Sequence, residues 1–260
     1  MLTHPLLPKL RELCLGGMLD TLEERAALAQ EQQLSPVEFL ALLLDDELER
    51  RHQRRFLLRQ KEAGFESLKT LADFDFAAAP GLDRSLIREL ATCTFVRAKE
   101  NWLLCGPTGI GKSHLATALG YEAIKRNLRV LSFSAHRLLA RLLASRADGS
   151  YPRVFGRLAS VDLLIIDDFG LRPLDPQGAE DLYELIARRY ERGSIVLTSN
   201  RSPQEWPEVF GDSLLASAAL DRLTHHARVT TITGESYRQR QRRENHSTPV
   251  RKEAKSVSQQ

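Results

Sequence analysis

One stretch, Gly106-Pro107-Thr108-Gly109-Ile110-Gly111-Lys112-Ser113, constrains the fold of this chain more than any other. It matches the pattern G-x-x-x-x-G-K-S/T, whose glycines let backbone N–H groups turn towards phosphate oxygens. The apolar run before it, Trp102–Cys105, is typical of a buried strand, and apolar residues at helical spacing follow over His114–Ile124. The sequence therefore predicts a strand, a phosphate-binding loop and a helix whose positive end lies at the phosphate.

This arrangement resembles the loop of the P-loop nucleoside triphosphatases and assigns roles to its last residues. Lys112 is expected to reach the β- and γ-phosphates, and the hydroxyl of Ser113 is expected to bind Mg²⁺. His114 follows directly, and we include it with the loop in the predicted nucleotide site.

Polar residues end two further apolar strands. Val161–Asp168 finishes in two aspartates: Asp167 is expected to hold Mg²⁺ through water, and Asp168 to orient and deprotonate an attacking water. Ser194–Asn200 ends in Asn200, which is expected to position that water or to sense the γ-phosphate. Because such strand ends meet at one edge of an open α/β sheet, these residues and the loop predict one metal-dependent site.

The number of strands between the motifs separates classes of P-loop protein. One strand, residues 129–134, lies between the loop and the aspartate pair, and another strand follows that pair. This pattern is typical of the ATPases with an additional strand, an α/β fold with a parallel sheet of order 5-1-4-3-2. It argues against a nucleotide kinase, and the Asn-Lys-x-Asp motif of GTPases is missing. The segment after Asn200 is short, so we expect a reduced or absent lid domain.

Residues 1–66 are predicted to form a small all-helical module that binds DNA or a partner. Gly16-Gly17 ends its first helix. Thr21 with Glu24 has the pattern of a capping box and predicts the start of a second helix. Ser35–Glu38, with Ser, Pro and Glu at the expected positions, predicts the start of a third helix that continues to the basic stretch.

The rest of the chain is predicted to contain an ATPase domain, residues 67–243, and a disordered tail, residues 244–260. An extended arm and turn near Asp73–Phe76 precede a single short helix from Ser85 to about Phe95. The segment Trp206–Phe210 is predicted to be a loop.

Composition excludes some functions and leaves nucleic acid open. The protein is 42% hydrophobic and 27% charged, and no apolar run reaches the roughly 18 residues that a membrane span needs. Its three scattered cysteines favour a reducing, cytoplasmic setting. A net charge of +3 argues only weakly for nucleic acid, but basic residues cluster. A solvated helix face explains each cluster equally well. The candidate DNA-binding residues are Arg50, Arg51, Arg54, Arg55, Arg59, Lys61, Arg137 and Arg141.

With these motifs in place, the chain resembles the IstB-like ATPases, the helper ATP-binding proteins of IS21-type insertion sequences. They are AAA+ relatives of the bacterial helicase loader DnaC and the initiator DnaA. The resemblance covers about residues 5–240 and includes Gly17-Met18, the arm Thr70–Phe76 and the stretch Gly234–Arg238.

The resemblance implies ATP and Mg²⁺ as ligands of a cytoplasmic bacterial protein that hydrolyses ATP. It implies that Asn200 is the sensor residue and that Arg222 is an arginine finger presented to a neighbouring subunit. Many AAA+ proteins have Glu where this chain has Asp168, which is one methylene shorter, so turnover is expected to be slow. Arg238 is either a second phosphate sensor or a DNA contact.

The function implied is that of an ATP-dependent homo-oligomer on duplex DNA that recruits or stimulates a transposase and is reset by hydrolysis. DNA binding is expected to be largely sequence-nonspecific, since backbone contacts carry no base information. Three alternatives remain open. They are a DnaC-like replicative helicase loader, which would prefer single strands and a helicase, a non-catalytic DNA scaffold with ATP as a structural ligand, and a small-molecule kinase.

Overall fold

The computed structural model describes residues 5–234 and 236–237. The chain divides into two compact units, the first ending at Glu62 and the second beginning at Ala63. The predicted tail, residues 244–260, and Arg238 lie outside the described residues. Across the described part, none of the helices combines the length and the apolar character that crossing a membrane requires.

Helices make up the first unit: α1 (Leu6–Glu12), α2 (Gly16–Glu31) and α3 (Pro36–Ala63). The start of α3 confirms the predicted capping box. The backbone N–H of Ser35 donates to the carboxylate of Glu38 at 2.8 Å, and the N–H of Glu38 donates to the Ser35 hydroxyl at 3.3 Å. Two otherwise unpaired donors at the helix start are thereby satisfied.

The predicted start of α2 at Thr21 is wrong, because the helix already begins at Gly16. Thr21 lies inside it and donates its hydroxyl to the Gly17 carbonyl at 3.1 Å. The start is capped from α3 instead, since the buried carboxylate of Glu47 accepts the Gly17 N–H at 2.6 Å. A Cβ on Gly17 would lie 2.6 Å from the Glu47 Cα, so only glycine permits this approach. A tertiary cap has replaced the local one.

The first unit has a small core and relies on ion pairs around it. Its buried side chains Met18, Leu22 and Leu43 form one cluster. Between α2 and α3, Arg25 makes a 2.7 Å ion pair with Asp46 and, with its hydrogen bonds, lowers the pKa of that carboxyl to about 2. Further pairs join Arg50 to Asp20 at 2.9 Å and Arg51 to Glu47 at 2.6 Å.

A parallel five-stranded sheet organises the second unit, and its order, β2-β3-β4-β1-β5, confirms the predicted order 5-1-4-3-2. The near-continuous apolar sequences of β1, β3 and β4 match strands that are covered on both faces. The strands are β1 (Asn101–Cys105), β2 (Val130–Ser134), β3 (Leu163–Phe169), β4 (Ser194–Ser199) and β5 (Ala227–Thr231).

Helices connect and cover these strands. They are α4 (Arg84–Ala91), α5 (Thr94–Arg97), α6 (Lys112–Lys125), α7 (Ala135–Ala147), α8 (Tyr151–Ser160), α9 (Pro176–Arg189), α10 (Trp206–Phe210) and α11 (Ser213–His225). The short helix predicted from Ser85 to about Phe95 is present as α4, but its predicted end is wrong, because Cys93 adopts a φ of +59° and separates α4 from α5. The turn buries Phe95 and Val96. Each such burial contributes about 2 kcal/mol, more than the roughly 1 kcal/mol cost of one left-handed residue.

The loop predicted at Trp206–Phe210 is also wrong, since this segment is helix α10. Trp206, Val209 and Phe210 are all buried and recur at helical spacing. The Trp206 ring meets Phe169 edge to face, with ring centroids 5.0 Å apart. The helix therefore forms to bury these side chains beside the end of β3.

Arg189, at the end of α9, is a buried structural residue with 1% of its surface exposed. Its guanidinium donates to the carbonyls of Leu158 and Val161 at 2.7 and 3.0 Å and to that of Ser194 at 2.7 Å. Burial lowers the pKa of Arg189 to about 10, which leaves it charged at neutral pH. The side chain ties α8 and the start of β4 together where the strands begin.

Candidate functional site

The predicted site residues gather where the parallel strands end, which we call the phosphate edge of the sheet. The loop Gly106–Ser113 continues β1 into α6. β1 pairs with β4, and β4 pairs with β3, so the ends of these three strands are adjacent. The Gly106 N–H donates to the Ser199 carbonyl at 3.1 Å and fixes the start of the loop against β4.

Two loop glycines adopt conformations that side chains rarely take and admit close neighbours. Gly109 and Gly111 have φ values of +87° and +94°. A Cβ on Gly109 would lie 2.3 Å from the Ser236 hydroxyl, and one on Gly111 would lie 2.6 Å from the Phe74 ring. The loop thus turns its N–H groups at the start of α6, where the helix dipole favours an anion.

The segments that approach these glycines lie on either side of the loop. The N–H of Tyr237 donates to the Gly109 carbonyl at 3.0 Å. His114 turns its ring to the Thr70 carbonyl, with its Nε2 2.8 Å away, and packs edge to face on Phe74. The predicted nucleotide-site residue His114 therefore anchors the arm through its side chain, while its backbone N–H stays in the first turn of α6.

Lys112 is 6% exposed and is held in place by the loop itself. Its Nζ donates to the carbonyls of Gly106 and Pro107, both at 2.8 Å. Burial lowers the pKa of Lys112, and the nearby charges of Asp168 and Asp167 oppose that shift. The ammonium and the two carboxylates are thus brought together, as the sequence predicted.

A β-bulge at the end of β3 aims the two aspartates. Ile166 pairs with Leu197 and Phe169 pairs with Ser199, so two residues of β3 oppose one residue of β4. Asp168 has a φ of +56° in this bulge and is exposed.

Thr198, the residue of β4 that faces the bulge, joins the two aspartates. Its hydroxyl donates a short hydrogen bond to the Asp167 carboxylate and accepts the Asp168 N–H at 3.0 Å. Thr198 is fully buried. Sequence reasoning missed it, although the polar run Thr198–Asn200 after an apolar strand was a signal that could have found it.

The remaining residues predicted at the phosphate edge have the expected positions. Ser113 is the second residue of α6, and Asn200 follows directly after β4 and is exposed. Their hydroxyl and amide groups lie on the segments that flank Lys112 and Asp167. The oxygen-only donors Ser113 and Asp167 suit Mg²⁺, which prefers carboxylate, hydroxyl and water ligands.

A cleft of about 560 Å³ opens beside Asp168, between α7 and the loop after β3. Ser134, His136, Gly170 and Arg172 contribute to its walls. Asp168 lines this cleft and is exposed.

Arg222 lies near the opposite edge of the sheet, which we call the arginine edge. α11 leads into β5 at Ala227, which pairs with Asn101 at the start of β1. Arg222 lines a small cavity with Asn101 and with Gly193, just before β4. Because β1 rises about 3.3 Å per residue, the two edges are separated by about 13 Å along this strand. Arg222 is therefore remote from Lys112 of the same chain.

Local contacts hold Arg222 half-buried at this edge. Its Nη1 donates to the Ala218 carbonyl one turn earlier at 2.8 Å. Its guanidinium carbon lies 5.3 Å from the centroid of the Tyr183 ring. Neither of these two contacts is an ion pair with a carboxylate. The Arg222 guanidinium can therefore bind an anion without first breaking either contact for an ion pair.

The candidate DNA-binding residues differ in their surroundings. Arg50 and Arg51 belong to the ion pairs of the first unit, and Arg137 pairs with Glu66 at 3.1 Å. Arg141 lies over the Phe133 ring, 5.6 Å from its centroid. Arg59 is half-buried. Exposed positions on α3 are occupied by Arg54, Arg55 and Lys61.

Comparisons with known proteins show which family and which relatives the chain resembles. The chain matches the family of the IstB-like ATP binding protein over residues 8–245. It is 42% identical over 238 residues to the insertion sequence IS21 ATP-binding protein of Pseudomonas aeruginosa, which covers 92% of this chain and 89% of the relative. It is 41% identical over 239 residues to the insertion sequence IS5376 ATP-binding protein of Geobacillus stearothermophilus, covering 90% and 95%.

A solved structure of similar fold is AMPPCP-bound DnaA from Aquifex aeolicus. Its TM-score is 0.55 at 23% identity, and the match covers 73% of this chain and 59% of DnaA. A likeness at this identity shows the fold alone.

Proposed function

This chain belongs to the IstB-like ATP-binding proteins, the family that its motifs predicted, and we propose that it hydrolyses ATP between subunits assembled on duplex DNA. Membership in this AAA+ family makes ATP its ligand. The observation that carries the proposal is the separation of the two edges: Lys112, Asp167 and Asp168 meet at the phosphate edge, whereas Arg222 lies at the arginine edge.

At the phosphate edge, each group has a distinct task. The N–H groups of the loop and of the first turn of α6 bind the phosphate oxygens, and Lys112 transfers its two hydrogen bonds from carbonyls to the β- and γ-phosphates. Ser113 and Asp167 would hold Mg²⁺, which neutralises the phosphate charge. Asp168 accepts the proton of the attacking water, and Asn200 orients that water.

The arginine edge completes the site of a neighbouring subunit. Charge develops on the γ-phosphoryl group in the transition state, and a second cation stabilises it there. Arg222 is too far from the phosphates of its own chain to supply that cation. A head-to-tail contact, in which one subunit's arginine edge faces the next subunit's phosphate edge, brings it into reach. ATP then acts as a clamp between subunits.

We place the clamp on duplex DNA because the relatives are named as ATP-binding proteins of insertion sequences, and duplex DNA is the partner that the resemblance implied. Exposed arginines and Lys61 on α3 supply charges suited to a phosphate backbone. The same context favours a transposase as the protein partner over a replicative helicase.

The test measures ATP hydrolysis and assembly on DNA together. We expect duplex DNA to stimulate hydrolysis, and electron microscopy to find multi-subunit complexes on duplex DNA with ATP and not without it. Asp168→Asn should abolish hydrolysis while ATP-dependent complexes persist, because the variant keeps Lys112 and the loop.

Three outcomes contradict the proposal in different ways. Complexes that form equally well without ATP would show that ATP does not act as a clamp between subunits. Unchanged hydrolysis in Asp168→Asn would show that Asp168 is not the catalytic carboxylate. Assembly on single strands alone, with stimulation by a helicase, would favour the loader alternative.

A further inference from the structure

At the arginine edge, three side chains capable of binding metal converge on one another. Glu191, His225 and His226 each offer one ligand atom, and these atoms lie within 4.8 Å of one another. Within residues 5–234 and 236–237, this is the one group of three or more such side chains that could hold a metal ion. It uses none of the residues assigned to ATP.

The backbone explains why two consecutive histidines point the same way. Neighbouring side chains on a helix diverge by about 100°. Here α11 ends at His225, and His226 leaves helical geometry with φ −123° and ψ 58°. The two rings consequently approach to 4.1 Å between centroids.

An unusual backbone conformation just after α9 places the Glu191 side chain near His226. The Glu191 φ of +57° lies in the left-handed region, which costs a residue with a side chain about 1 kcal/mol. The result is a carboxylate oxygen 3.7 Å from the His226 Nε2. Ligands of a tetrahedral zinc ion with bonds of about 2.1 Å lie about 3.4 Å apart. Small rotations of these exposed side chains are therefore enough to close the site.

Tyr190 occupies the position of a supporting residue. Its hydroxyl lies 2.7 Å from the His225 Nδ1, which leaves the Nε2 of that ring to face a metal. Metal-binding histidines usually have their second nitrogen held in this way, and the contact fixes the ring orientation and the tautomer.

We propose that Glu191, His225 and His226 form a binding site for a divalent transition ion of the Zn²⁺ type, with water as the fourth ligand. Two imidazoles and one carboxylate suit Zn²⁺ and disfavour Mg²⁺, which prefers oxygen ligands. The ion fixes the junction between α9 and the end of α11. Arg222 lines the same small cavity as Glu191 and His226, so metal binding also restricts the segment that carries this arginine.

The test is calorimetric titration of the full, untagged and chelator-treated protein with ZnCl₂. We expect one ion per chain. His225→Ala and His226→Ala should weaken binding at least 100-fold, and Tyr190→Phe about tenfold, as for other residues that support a metal ligand. The matched control is His52→Ala, which removes an exposed histidine from α3 and should leave binding unchanged. Millimolar Mg²⁺ should not compete.

Titration with Co²⁺ supplies a readout of coordination. The visible spectrum of the Co²⁺ form should have the intense bands of a four-coordinate ion, and Glu191→Gln should change them. Thermal unfolding without metal verifies that each variant folds. The proposal is overturned if the wild type binds no Zn²⁺, or if His225→Ala and His226→Ala bind it as tightly as the wild type. Either result leaves a surface ion pair between His226 and Glu191, and the proposal for ATP hydrolysis stands independently.

Discussion

The two edges of the sheet differ in how their charged groups are held. At the phosphate edge, Lys112 is bonded to loop carbonyls, and Thr198 joins Asp167 to the backbone of Asp168. At the arginine edge, Arg222 is half-buried and contacts a carbonyl of its own helix and an aromatic ring. One edge holds its charged groups in a fixed network, and the other carries a cation that, under the proposed function, a second chain uses.

The arginine edge also contains a residue whose role is structural, Arg189. Arg189 and Arg222 lie a few ångströms from the same cavity at the arginine edge, yet Arg189 is enclosed by carbonyls and Arg222 is not. Charge alone therefore does not separate a structural arginine from one that is available to a ligand. The two are separated by how deeply the side chain is buried and by which groups accept its hydrogen bonds.

The largest expected effect concerns Arg222. Arg222→Ala should lower DNA-stimulated kcat for ATP hydrolysis about 10³-fold, the lower end for arginine fingers, because the γ-phosphoryl charge loses its second cation. ATP binding to the isolated subunit should not change. The measurement is steady-state hydrolysis with fluorescent-nucleotide binding, and Arg192→Ala, an exposed arginine near the same edge, is the control. An equal loss of kcat in Arg222→Ala and Arg192→Ala would mean that hydrolysis depends on the total positive charge at this edge and not on Arg222 in particular.

Arg189 should behave in the opposite way. Arg189→Met removes a donor set and leaves the carbonyls of Leu158, Val161 and Ser194 buried without it, so we expect a loss of about 3 kcal/mol in the free energy of unfolding. The neighbouring Arg188 is exposed, and Arg188→Met should change stability by less than about 0.5 kcal/mol. Denaturant unfolding compares the two. If both variants were equally stable, the distinction between buried and exposed arginine would fail.

The smallest expected effect concerns Thr198 at the phosphate edge. Thr198→Val keeps the shape of the side chain and removes the hydroxyl that joins the aspartates. We expect the Mg²⁺ concentration for half-maximal hydrolysis to rise about tenfold, as for other residues that support a metal ligand. Thr198→Ser restores the hydroxyl and should restore the Mg²⁺ dependence. A uniform loss in both variants would indicate a packing role alone.

Local sequence patterns predicted the strands and the loop because each is determined by neighbouring residues, whereas the sheet order was predicted from the number of strands between the motifs, which is typical of one class of ATPase. The loop Gly106–Ser113 and the capping box at Ser35 are of this kind. The start of α2 could not be predicted in this way, since its cap is Glu47, thirty residues away in the chain. Arg188 and Arg189 are adjacent and identical in type; Arg189 shares the helix face of Leu182 and Ile186, and the structure shows the carbonyls that accept its hydrogen bonds there.

In the candidate site, too, the residues that belong to local motifs could be predicted, and the one that depends on tertiary contacts could not. Motifs singled out Lys112, Asp167 and Asp168, and in the structure the charges of the two aspartates act on the lysine. Thr198 acts through a bulge that arises from the pairing of β3 with β4, which sequence spacing does not encode. The roles of all the predicted site residues stay predictions, those of Lys112, Asp167 and Asp168 as well as those of Asn200, Arg222 and the basic residues of α3.

A mixing experiment tests the central claim that a site is completed by two chains. We expect Asp168→Asn subunits to bind ATP and keep Arg222 while lacking the carboxylate proposed to be catalytic, whereas Arg222→Ala subunits keep that carboxylate and lack the arginine. Each variant alone should be nearly inactive on duplex DNA with ATP. Mixed in equal amounts, they should regain a substantial fraction of wild-type hydrolysis, because some contacts pair an intact phosphate edge with an intact arginine edge. If the mixture stays as inactive as its components while both variants assemble on DNA, Arg222 does not act across the subunit contact.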